Sequence, residues 1–263
     1  MPEGHTIHRL ARDQNADLAG QVIRTAAVQE RFADGAARLD GQVLRRVEAY
    51  GKHIFVRWQG GDILHVHLGL FGKWRRSVSP PPAPIGEVRL RLIGPGHTWD
   101  LAGAMTTRLI DPGERDATIK AIGPDPLRKD AKPEQLWATL QKRSAPVGLL
   151  LMDQGVVAGI GNVYRSELLF LTGIHPLRPG KAVQRDEFDA LWAETVRQLR
   201  LGVRRNRIVT RPPEELGRPV SRVGREDAVY VYKQTHCRWC GTELEVIPLA
   251  GRNAWACPVH QPR

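Results

Sequence analysis

The stretch Val157-Ala158-Gly159-Ile160-Gly161-Asn162 precedes a run with helical period, Val163 to Leu171. Two glycines followed by an asparagine predict a tight turn and then a helix whose first amide groups lack intrahelical partners. Such a helix start can bind a phosphate, and the Asn162 side chain adds one more donor. A glycine-rich turn between helices also serves packing alone, so the turn by itself leaves both interpretations open.

Helical periodicity continues on both sides of this turn. The predicted helices are a first one from Pro133 to about Leu140, an apolar run at 147–152, the helix 163–171 and a long one at 185–201. Residues 123–132 combine proline, glycine and charge, which indicates a linker. Residues 202–224 are basic and broken by prolines; they predict either a mobile loop over the site or an ordinary surface loop.

The N-terminal part of the chain has a different period. A helix is predicted for residues 6–19, and short runs with apolar residues at every second position follow until about residue 109. Gly and Pro separate these runs, which predicts an antiparallel sandwich or barrel. We therefore expect an α+β, multidomain protein with a β-rich domain at 1–122, the linker 123–132, a helical domain at 133–205, and a loop and metal-bound tail at 206–263.

Charge and hydropathy define the class of partner. The 263 residues carry a net charge of +11, which indicates a polyanionic partner, most simply nucleic acid. A ribosomal or membrane-surface role would give the same charge. Apolar runs long enough to cross a membrane are absent, and the N-terminus lacks the apolar core of a signal peptide. We expect a monomeric cytoplasmic protein associated with the nucleoid.

The three cysteines all lie near the C-terminus, in the patterns Cys237-Arg-Trp-Cys240 and Cys257-Pro-Val-His260. Two ligand pairs with this spacing are typical of a tetrahedral structural zinc site. Cys237, Cys240, Cys257 and His260 are the predicted ligands, with His236 as an alternative to His260. The alternating residues between the pairs predict a β-hairpin with Gly251-Arg252 at its tip. Four filled ligand positions leave no position for a reacting water, so the predicted zinc is structural.

The first residues contain a candidate nucleophile. Removal of Met1 would leave Pro2 with a free secondary amine, and an α-amino group has a pKa of roughly 7.7–8. Such an amine can form a Schiff base, and Glu3 is the nearest group to move protons. The alternative is that Pro2 and Glu3 merely open a helix, where both residue types are favoured.

Two further segments carry candidates. Lys52 follows a glycine at the start of a predicted strand, where it can point a cation into a cleft or remain a solvated charge. Leu70 and Phe71 lie in the turn His67-Leu-Gly-Leu-Phe-Gly72, between glycines. They suit a wedge that enters a base stack, and the alternative is that they belong to the core.

Taken together, these motifs resemble the formamidopyrimidine-DNA glycosylase and endonuclease VIII family of base-excision repair enzymes. The matching stretches run almost from end to end: Pro2-Glu3-Gly4, Gly51-Lys52-His53, Gly123-Pro-Asp-Pro-Leu127, Asp153 to Glu167, and the zinc finger with Gly251-Arg252. The resemblance implies an N-terminal β-sandwich with flanking helices, a helix–two-turns–helix domain, a zinc-finger hairpin and damaged double- or single-stranded DNA as the partner.

The resemblance also implies roles for individual residues. Pro2 would be the Schiff-base nucleophile, with Glu3 as acid and base and Lys52 assisting at the sugar. Asn162 and Arg252 would hold phosphates, while Leu70 and Phe71 would fill the vacated stack. The reaction implied is excision of an oxidised base followed by β,δ-elimination.

This sequence departs from the family pattern in places. Thr6 replaces a glutamate, and His260 replaces a cysteine. The Gly-Gly-Thr-Thr-Leu-Arg-like stretch of the purine-specific branch is absent before the finger, which favours the endonuclease VIII branch and oxidised pyrimidines. The alternatives are an 8-oxoguanine and formamidopyrimidine glycosylase, a non-catalytic protein that binds damaged DNA or junctions, and a basic zinc-ribbon protein of the ribosome.

Overall fold

Strands with apolar side chains at alternate positions build the first of two compact units, which ends at Ala121. The computed structural model describes residues 2–263. The strands are β1 (Val22–Ala26), β2 (Gln42–Tyr50), β3 (His53–Trp58), β4 (Ile63–His67), β5 (Lys73–Val78), β6 (Val88–Ile93), β7 (His97–Ala102) and β8 (Thr106–Ile110). Neighbouring strands are antiparallel in the order β5-β7-β6-β1-β2-β3-β4-β8.

The eight strands form two layers. β1 joins the halves through the pairs Val22↔Val43 and Ile23↔Gln42. The inward-facing side chains of both halves share one buried core, represented by Leu90 and Leu101 on one side and Ile54 and Val66 on the other. This shared core confirms the predicted N-terminal β-sandwich and the α+β class, because each layer buries one face against the other.

Helix α1 (Gly4–Leu18) closes one side of this core. Its apolar stripe of Ile7, Ala11 and Leu18 is buried with the strands. The helix begins two residues before the predicted start, since the Glu3 carbonyl already accepts a hydrogen bond from the Thr6 amide at 2.9 Å.

Two helices of this unit were not predicted from the sequence, α2 (Ala33–Leu39) and α3 (Pro112–Lys120). Helix α3 begins with a capping box in which Asp111 accepts from the Glu114 amide at 2.8 Å and Glu114 accepts from the Asp111 amide at 3.1 Å. Ile119 of this helix packs beside Phe55 and other apolar residues on the outer face of the sheet.

The second unit begins at Ile122 and is helical in its first part. Its helices are α4 (Pro133–Gln141), α5 (Val147–Leu150), α6 (Asn162–Leu171), α7 (Arg185–Arg205) and α8 (Pro213–Leu216). Two turns separate α5 from α6, as the resemblance implied. Helix α7 extends beyond the predicted end at 201 and stops at Asn206, whose φ of 53° is left-handed. Gly202 therefore lies inside the helix, where it is buried.

The hairpin of β9 (Glu245–Leu249) and β10 (Arg252–Ala256) follows the helices. Its turn is Ala250-Gly251, both with positive φ, which suits a two-residue hairpin turn. Arg252, predicted at the tip of the hairpin, is instead the first residue of β10, directly after the turn. No helix in the described part of the chain combines the length and apolarity that a membrane span requires.

The segment predicted as a linker, 123–132, has no helix or strand, yet its first residues are buried within the second unit. The Gly123 amide donates to the Gln154 carbonyl at 2.9 Å, and the Pro124 carbonyl accepts from the Ala158 amide at 3.1 Å. These bonds attach the segment to the turns between α5 and α6.

One buried carboxylate connects α1 to two strands of the sandwich. Asp17 accepts from the Arg76 guanidinium at 2.6 and 2.7 Å and from the Trp99 indole N–H at 2.8 Å. The hydrogen bond from Arg76 holds the pKa of the Asp17 carboxyl below its usual range. The carboxylate thus joins the C-terminal turn of α1 to β5 and β7.

Replacing Asp17→Ala should destabilise the protein by about 2 kcal/mol, because the buried indole N–H of Trp99 and the guanidinium lose their partner. Asp13, on the same helix, pairs with partly exposed Arg9 and with exposed Arg12. Asp13→Ala should cost no more than about 0.5 kcal/mol, because water still reaches both pairs. Urea unfolding followed by tryptophan fluorescence measures both. Equal effects of the two changes would contradict the role given to Asp17.

Candidate active site and metal centre

The N-terminal residues lie at the start of α1. Glu3 is fully buried and directly precedes the helix, while Pro2 is half-buried. A carboxylate at a helix N-terminus interacts favourably with the helix dipole. Met1, whose removal would expose the Pro2 amine, lies outside the described residues. The roles predicted for Pro2 and Glu3 remain predictions.

His5 is the next buried titratable side chain of this region. Burial lowers its pKa to about 4, so the imidazole is neutral at physiological pH. Its Nε2 lies 3.2 Å from the hydroxyl of Thr6, the residue at the position where the family has glutamate. A neutral imidazole and a hydroxyl therefore stand where a second carboxylate was expected by resemblance.

Lys52 occupies the two-residue turn between β2 and β3. Gly51 adopts a left-handed φ of 54°, which lets Tyr50 and His53 pair directly across the turn. Lys52 is half-buried at this end of the sheet, and its charge contributes to the lowered pKa of both His53 and His67. The structure thus places Lys52 beside the strand that leads into the turn of Leu70 and Phe71.

Three histidines form a cluster that the sequence analysis missed. His53 pairs with His67 across β3 and β4, and His53 Nδ1 lies 2.8 Å from His65 Nε2. The rings of His53 and His65 stack with centroids 5.1 Å apart, and Phe55 stacks on His65 at 4.9 Å. The signal in the sequence was the alternation His65-Val-His67, which places both imidazoles on one face of a strand.

Burial keeps this cluster neutral. The pKa of His53 is lowered to about 3 and that of His65 to about 4, by burial first and then by neighbouring positive groups. The pKa of His67 is also lowered, by burial first and then by Lys52. The charged groups around the cluster are Lys52 in the turn, Arg108 on β8, and Arg115 of α3, which pairs with Glu48 of β2 at 2.6 Å.

The two apolar residues of the predicted wedge are exposed. Leu70 is 53% exposed and Phe71 is 84% exposed, in the turn between β4 and β5. Neither side chain belongs to the core, which leaves both available for a partner. Their insertion into a base stack remains a prediction.

In the second unit, the structure brings Asn162 and the hairpin together. The Asn162 amide donates to the Asn253 carbonyl at 3.1 Å, although 91 residues separate them in the chain. Arg165, which the sequence analysis did not select, donates to the same carbonyl at 2.8 Å and also to the Asn162 side-chain oxygen. Arg252 directly precedes Asn253 in β10, so it is one residue away from the contact of Asn162 with the hairpin; phosphate binding by either residue remains a prediction.

The predicted metal ligands converge. One ligand atom from each of Cys237, Cys240, Cys257 and His260 lies within 4.8 Å of all the others. Cys240 Sγ and Cys257 Sγ are 3.6 Å apart, close to the roughly 3.8 Å that two 2.3 Å metal–sulfur bonds subtend at a tetrahedral centre. His260 Nε2 is buried and has no hydrogen-bond partner within residues 2–263. This donor set fits a tetrahedral metal ion, and His236 is outside it.

Comparison with protein families matches both units. The formamidopyrimidine-DNA glycosylase N-terminal domain matches residues 1–109, and the H2TH domain of formamidopyrimidine-DNA glycosylase matches residues 122–213. Endonuclease 8 1 of Mycobacterium tuberculosis is 45% identical over 99% of this chain and 100% of its own length. Formamidopyrimidine-DNA glycosylase of Thermomicrobium roseum is 29% identical over 100% of this chain and 99% of its own.

Solved structures share the fold. A complex of the Lactococcus lactis enzyme Fpg with DNA containing N7-benzyl-Fapy-dG superposes with a TM-score of 0.83 at 24% identity, covering 100% of both chains. A complex of the same enzyme with DNA containing an oxidised pyrimidine also gives 0.83, at 23% identity and the same coverage.

A β-sandwich followed by a helix–two-turns–helix unit and a cysteine-histidine centre is the architecture of a base-excision repair glycosylase. The chain belongs to the formamidopyrimidine-DNA glycosylase and endonuclease 8 family, whose members are DNA glycosylases and AP lyases. The resemblance drawn from the sequence motifs is therefore confirmed.

The neutral histidines predict a loss of stability in acid. In the unfolded chain the His65 side chain binds a proton near pH 6.5, whereas in the folded protein it binds one only near pH 4. Stability therefore falls as the pH drops below about 6.5 and stops falling near the folded pKa. Between about pH 7.5 and about pH 5, His65 alone should account for about 1–2 kcal/mol of this loss.

Urea unfolding of the wild type and of His65→Gln at both pH values tests this expectation. The variant should lose less stability on acidification than the wild type does, whatever its stability at neutral pH. His8→Gln, on the half-exposed side of α1, serves as the control and should keep the wild-type difference. An unchanged difference in His65→Gln would refute the assignment of a depressed pKa to this residue.

Proposed function

We propose that this protein excises oxidised bases, pyrimidines foremost, through a Schiff base on Pro2 and then cuts the strand by β,δ-elimination. The observation that carries the proposal is the Pro2-Glu3 terminus, with Glu3 buried at the start of α1, in a chain 45% identical from end to end to an endonuclease 8. Nucleophilic catalysis uses an amine beside a group that can move protons. A helix start alone does not require this combination of a secondary amine and a buried carboxylate.

The chemistry assigns one task to each group. The neutral Pro2 amine attacks C1′; the N–C1′ bond forms while the base leaves with the electrons of the glycosidic bond and takes up a proton. Glu3 supplies and recovers protons at the sugar, and Lys52 assists there. The Pro2 nitrogen loses its proton, and the C1′–O4′ bond then breaks: its electrons go to O4′, which takes up a proton from Glu3, while the nitrogen lone pair forms the C=N bond of an iminium. This iminium acidifies the C2′ proton. Its removal breaks the C3′–O bond, and a second elimination breaks the C5′–O bond.

The net charge and the exposed apolar residues of the chain support the binding of DNA. A net charge of +11 favours a polyanion, and phosphate contacts can offset the few kcal/mol that extrusion of a nucleotide costs. Asn162 and Arg252 are the residues we assign to the phosphates beside the extruded nucleotide. Leu70 and Phe71, both exposed, enter the space that it leaves. Because the proposed substrate is DNA, we propose that the enzyme acts at the nucleoid in the cytoplasm.

The proposed preference for oxidised pyrimidines is supported by the sequence identities to relatives named Endonuclease 8. Two mycobacterial proteins named Endonuclease 8 are 45% and 32% identical to this chain, whereas the formamidopyrimidine-DNA glycosylase of T. roseum is 29% identical. The second candidate substrate is an oxidised or ring-opened purine. It is favoured by the Lactococcus lactis structures, in which one enzyme of the same fold binds both kinds of lesion.

Trapping with borohydride tests the nucleophile. The wild type should form a covalent adduct with DNA that carries thymine glycol, and less adduct with 8-oxoguanine opposite cytosine. Pro2→Gly, and protein that retains Met1, should lose the adduct, because the secondary amine is absent or blocked. Adduct formation that survives a blocked terminus would overturn the proposed chemistry.

Glu3→Gln provides a control within the same experiment. It keeps the amine but cannot carry a proton, so it should lose excision of a damaged base. It should still be trapped on a pre-formed abasic site, since that sugar opens to an aldehyde without departure of a base.

We infer that the metal of the cysteine-histidine centre is zinc with a structural role. Three sulfur donors and one imidazole are a common ligand set of structural zinc sites. Cys237 and Cys257 are buried in one apolar cluster with Phe170 of α6 and Trp255 of the hairpin. Zinc bound there would join the segments on either side of the hairpin that carries Arg252, next to Phe170 of the helix that carries Asn162.

Elemental analysis should find one zinc ion per chain. His260→Ala should reduce that content and lower the melting temperature, because the fourth ligand is lost. His236→Ala is the matched control, since this exposed residue stands outside the centre, and it should keep the full content. Loss of zinc in His236→Ala with retention in His260→Ala would show that the ligand assignment is wrong.

A further inference from the structure

The turn between β2 and β3 places an imidazole next to a cation. His53 is the first residue of β3, directly after Lys52, and it pairs with His67 of β4. Lys52 lies close enough for its charge to lower the pKa of both imidazoles. A lysine in such a place attracts phosphates, so a phosphate bound there would also lie near the His53 ring. The proposed reaction gives His53 no task.

A hydrogen bond and a ring contact hold the His53 side chain in place. Its Nδ1 lies 2.8 Å from Nε2 of His65, and the two rings are within 21° of parallel. The ring of His67 is tilted against it, with the centroids 4.8 Å apart. Nε2 is the ring nitrogen left for a further partner. Because the ring is already held in the protein alone, less entropy is lost when that partner binds.

The surroundings of His65 decide which nitrogens carry the protons. A hydrogen bond between two neutral imidazoles needs one N–H and one bare nitrogen. If His53 Nδ1 donated, the proton of His65 would be on its Nδ1, which is buried and has no hydrogen-bond partner within residues 2–263. Phe55, stacked on His65 at 4.9 Å, and the cationic neighbour Arg108 offer no acceptor. His65 Nε2 is therefore the donor, because buried N–H groups without an acceptor are rare in proteins.

This assignment leaves the proton of His53 on Nε2. Burial, and then the charges of neighbouring groups, lower the pKa of His53 to about 3, so the ring is neutral at physiological pH and carries one proton. His53 is half-buried, and its Nε2 is accessible, unlike the buried Nδ1 atoms of His65 and His67. The structure thus presents a neutral N–H donor directly beside Lys52.

We propose that His53 donates its Nε2–H to a DNA phosphate bound beside Lys52, and that His65 is the positioning residue that keeps the His53 proton on that nitrogen. The proposal rests on the proposed function, in which DNA is the substrate and Lys52 acts at the sugar. Hydrogen bonds to phosphate oxygens fix the register of a protein on DNA without reading its sequence. Because the imidazole is neutral, it binds the phosphate without replacing a counterion, whereas a lysine replaces one.

Nitrogen NMR of the imidazole rings tests the assignment in the wild-type protein. Spectra of isotope-labelled histidine side chains distinguish a protonated ring nitrogen from a bare one. Nε2 should be protonated and Nδ1 bare in both His53 and His65, and the Nε2–H signal of His53 should shift when DNA binds. A proton on His53 Nδ1 would overturn the proposal. Since this measurement uses the wild type, it stands even where a variant fails to fold.

Binding to a duplex with a tetrahydrofuran abasic analogue, which cannot form a Schiff base, measures the contact itself. His53→Phe keeps an aromatic ring without an N–H. It should weaken binding about fivefold and leave the slope of log affinity against log salt unchanged. Lys52→Ala should weaken binding and also reduce the magnitude of that slope by about one. His53→Gln, whose amide can reach the position of Nε2, should recover most of the affinity.

Two variants of His65 separate positioning from packing. His65→Phe keeps an aromatic ring but has no donor for His53 Nδ1. It should therefore release the His53 ring, mix the two protonation forms of His53 in the NMR spectra and weaken binding about threefold. His65→Gln can donate an amide N–H to His53 Nδ1 and should bind as the wild type does. His8→Phe, at a half-exposed position of α1, is the control and should change neither affinity nor slope.

Two results of the binding experiment would overturn the proposal. One is wild-type affinity in His53→Phe. The other is a salt slope reduced by about one in that variant, which would show that a charged imidazolium binds the phosphate. Failure of the proposed function looks different: the wild type would still bind the tetrahydrofuran duplex but would form no borohydride adduct with abasic DNA.

Discussion

The second unit depends on one buried carboxylate, that of Glu167 in α6. Glu167 has no exposed surface, and its two oxygens accept hydrogen bonds from the consecutive amides of Tyr230, Val231 and Tyr232, each at 2.8 Å. The Thr210 hydroxyl donates to it at 2.5 Å. Burial raises the pKa of this carboxyl, and the four donors act in the opposite direction.

This arrangement fixes the backbone of the segment that leads to the metal centre. Residues 230–232 are outside any helix or strand, so their amides would lack partners without the carboxylate. Five residues later the chain reaches Cys237, which is buried against Phe170 of the same helix. One helix therefore positions a phosphate-binding candidate at its first residue, Asn162, and the approach to the metal centre through Glu167.

Periodicity predicted most of the elements, and local chemistry predicted most of the candidate residues. The five predicted helices follow from spacing, which also indicated an antiparallel sandwich or barrel, and the resemblance decided for the sandwich. The Cys-x-x-Cys and Cys-x-x-His pairs defined the metal ligands that the structure brings together. Helix α3 was missed although its Asp-Pro-Gly-Glu start is a capping signal, because its charged sequence has no apolar stripe. The extra turn of α7 was missed because the basic, proline-broken stretch 202–224 was interpreted as a loop from its first residue.

Contacts set by strand register or by turns distant in sequence could not be predicted. His53 meets His65 and His67 only because β3 pairs with β4 in one register, and a shift of one residue would place these side chains on opposite faces. Likewise, Met105 lies in the stretch Ala-Met-Thr-Thr, and only the structure shows that its side chain lies against Gly69. Such residues become candidates only when the fold supplies their neighbours.

The buried histidines also limit which groups can move protons in the first unit. His5, His53 and His65 have pKa values of about 4, 3 and 4 because burial penalises the imidazolium. A general acid or base works best with a pKa near the operating pH, so these three imidazoles are poorly suited to proton transfer at neutral pH. This agrees with the proposed reaction, in which Glu3 moves the protons at the sugar and Lys52 assists. Since neutral imidazoles carry no positive charge, the positive charge of this region comes from its lysine and arginine side chains.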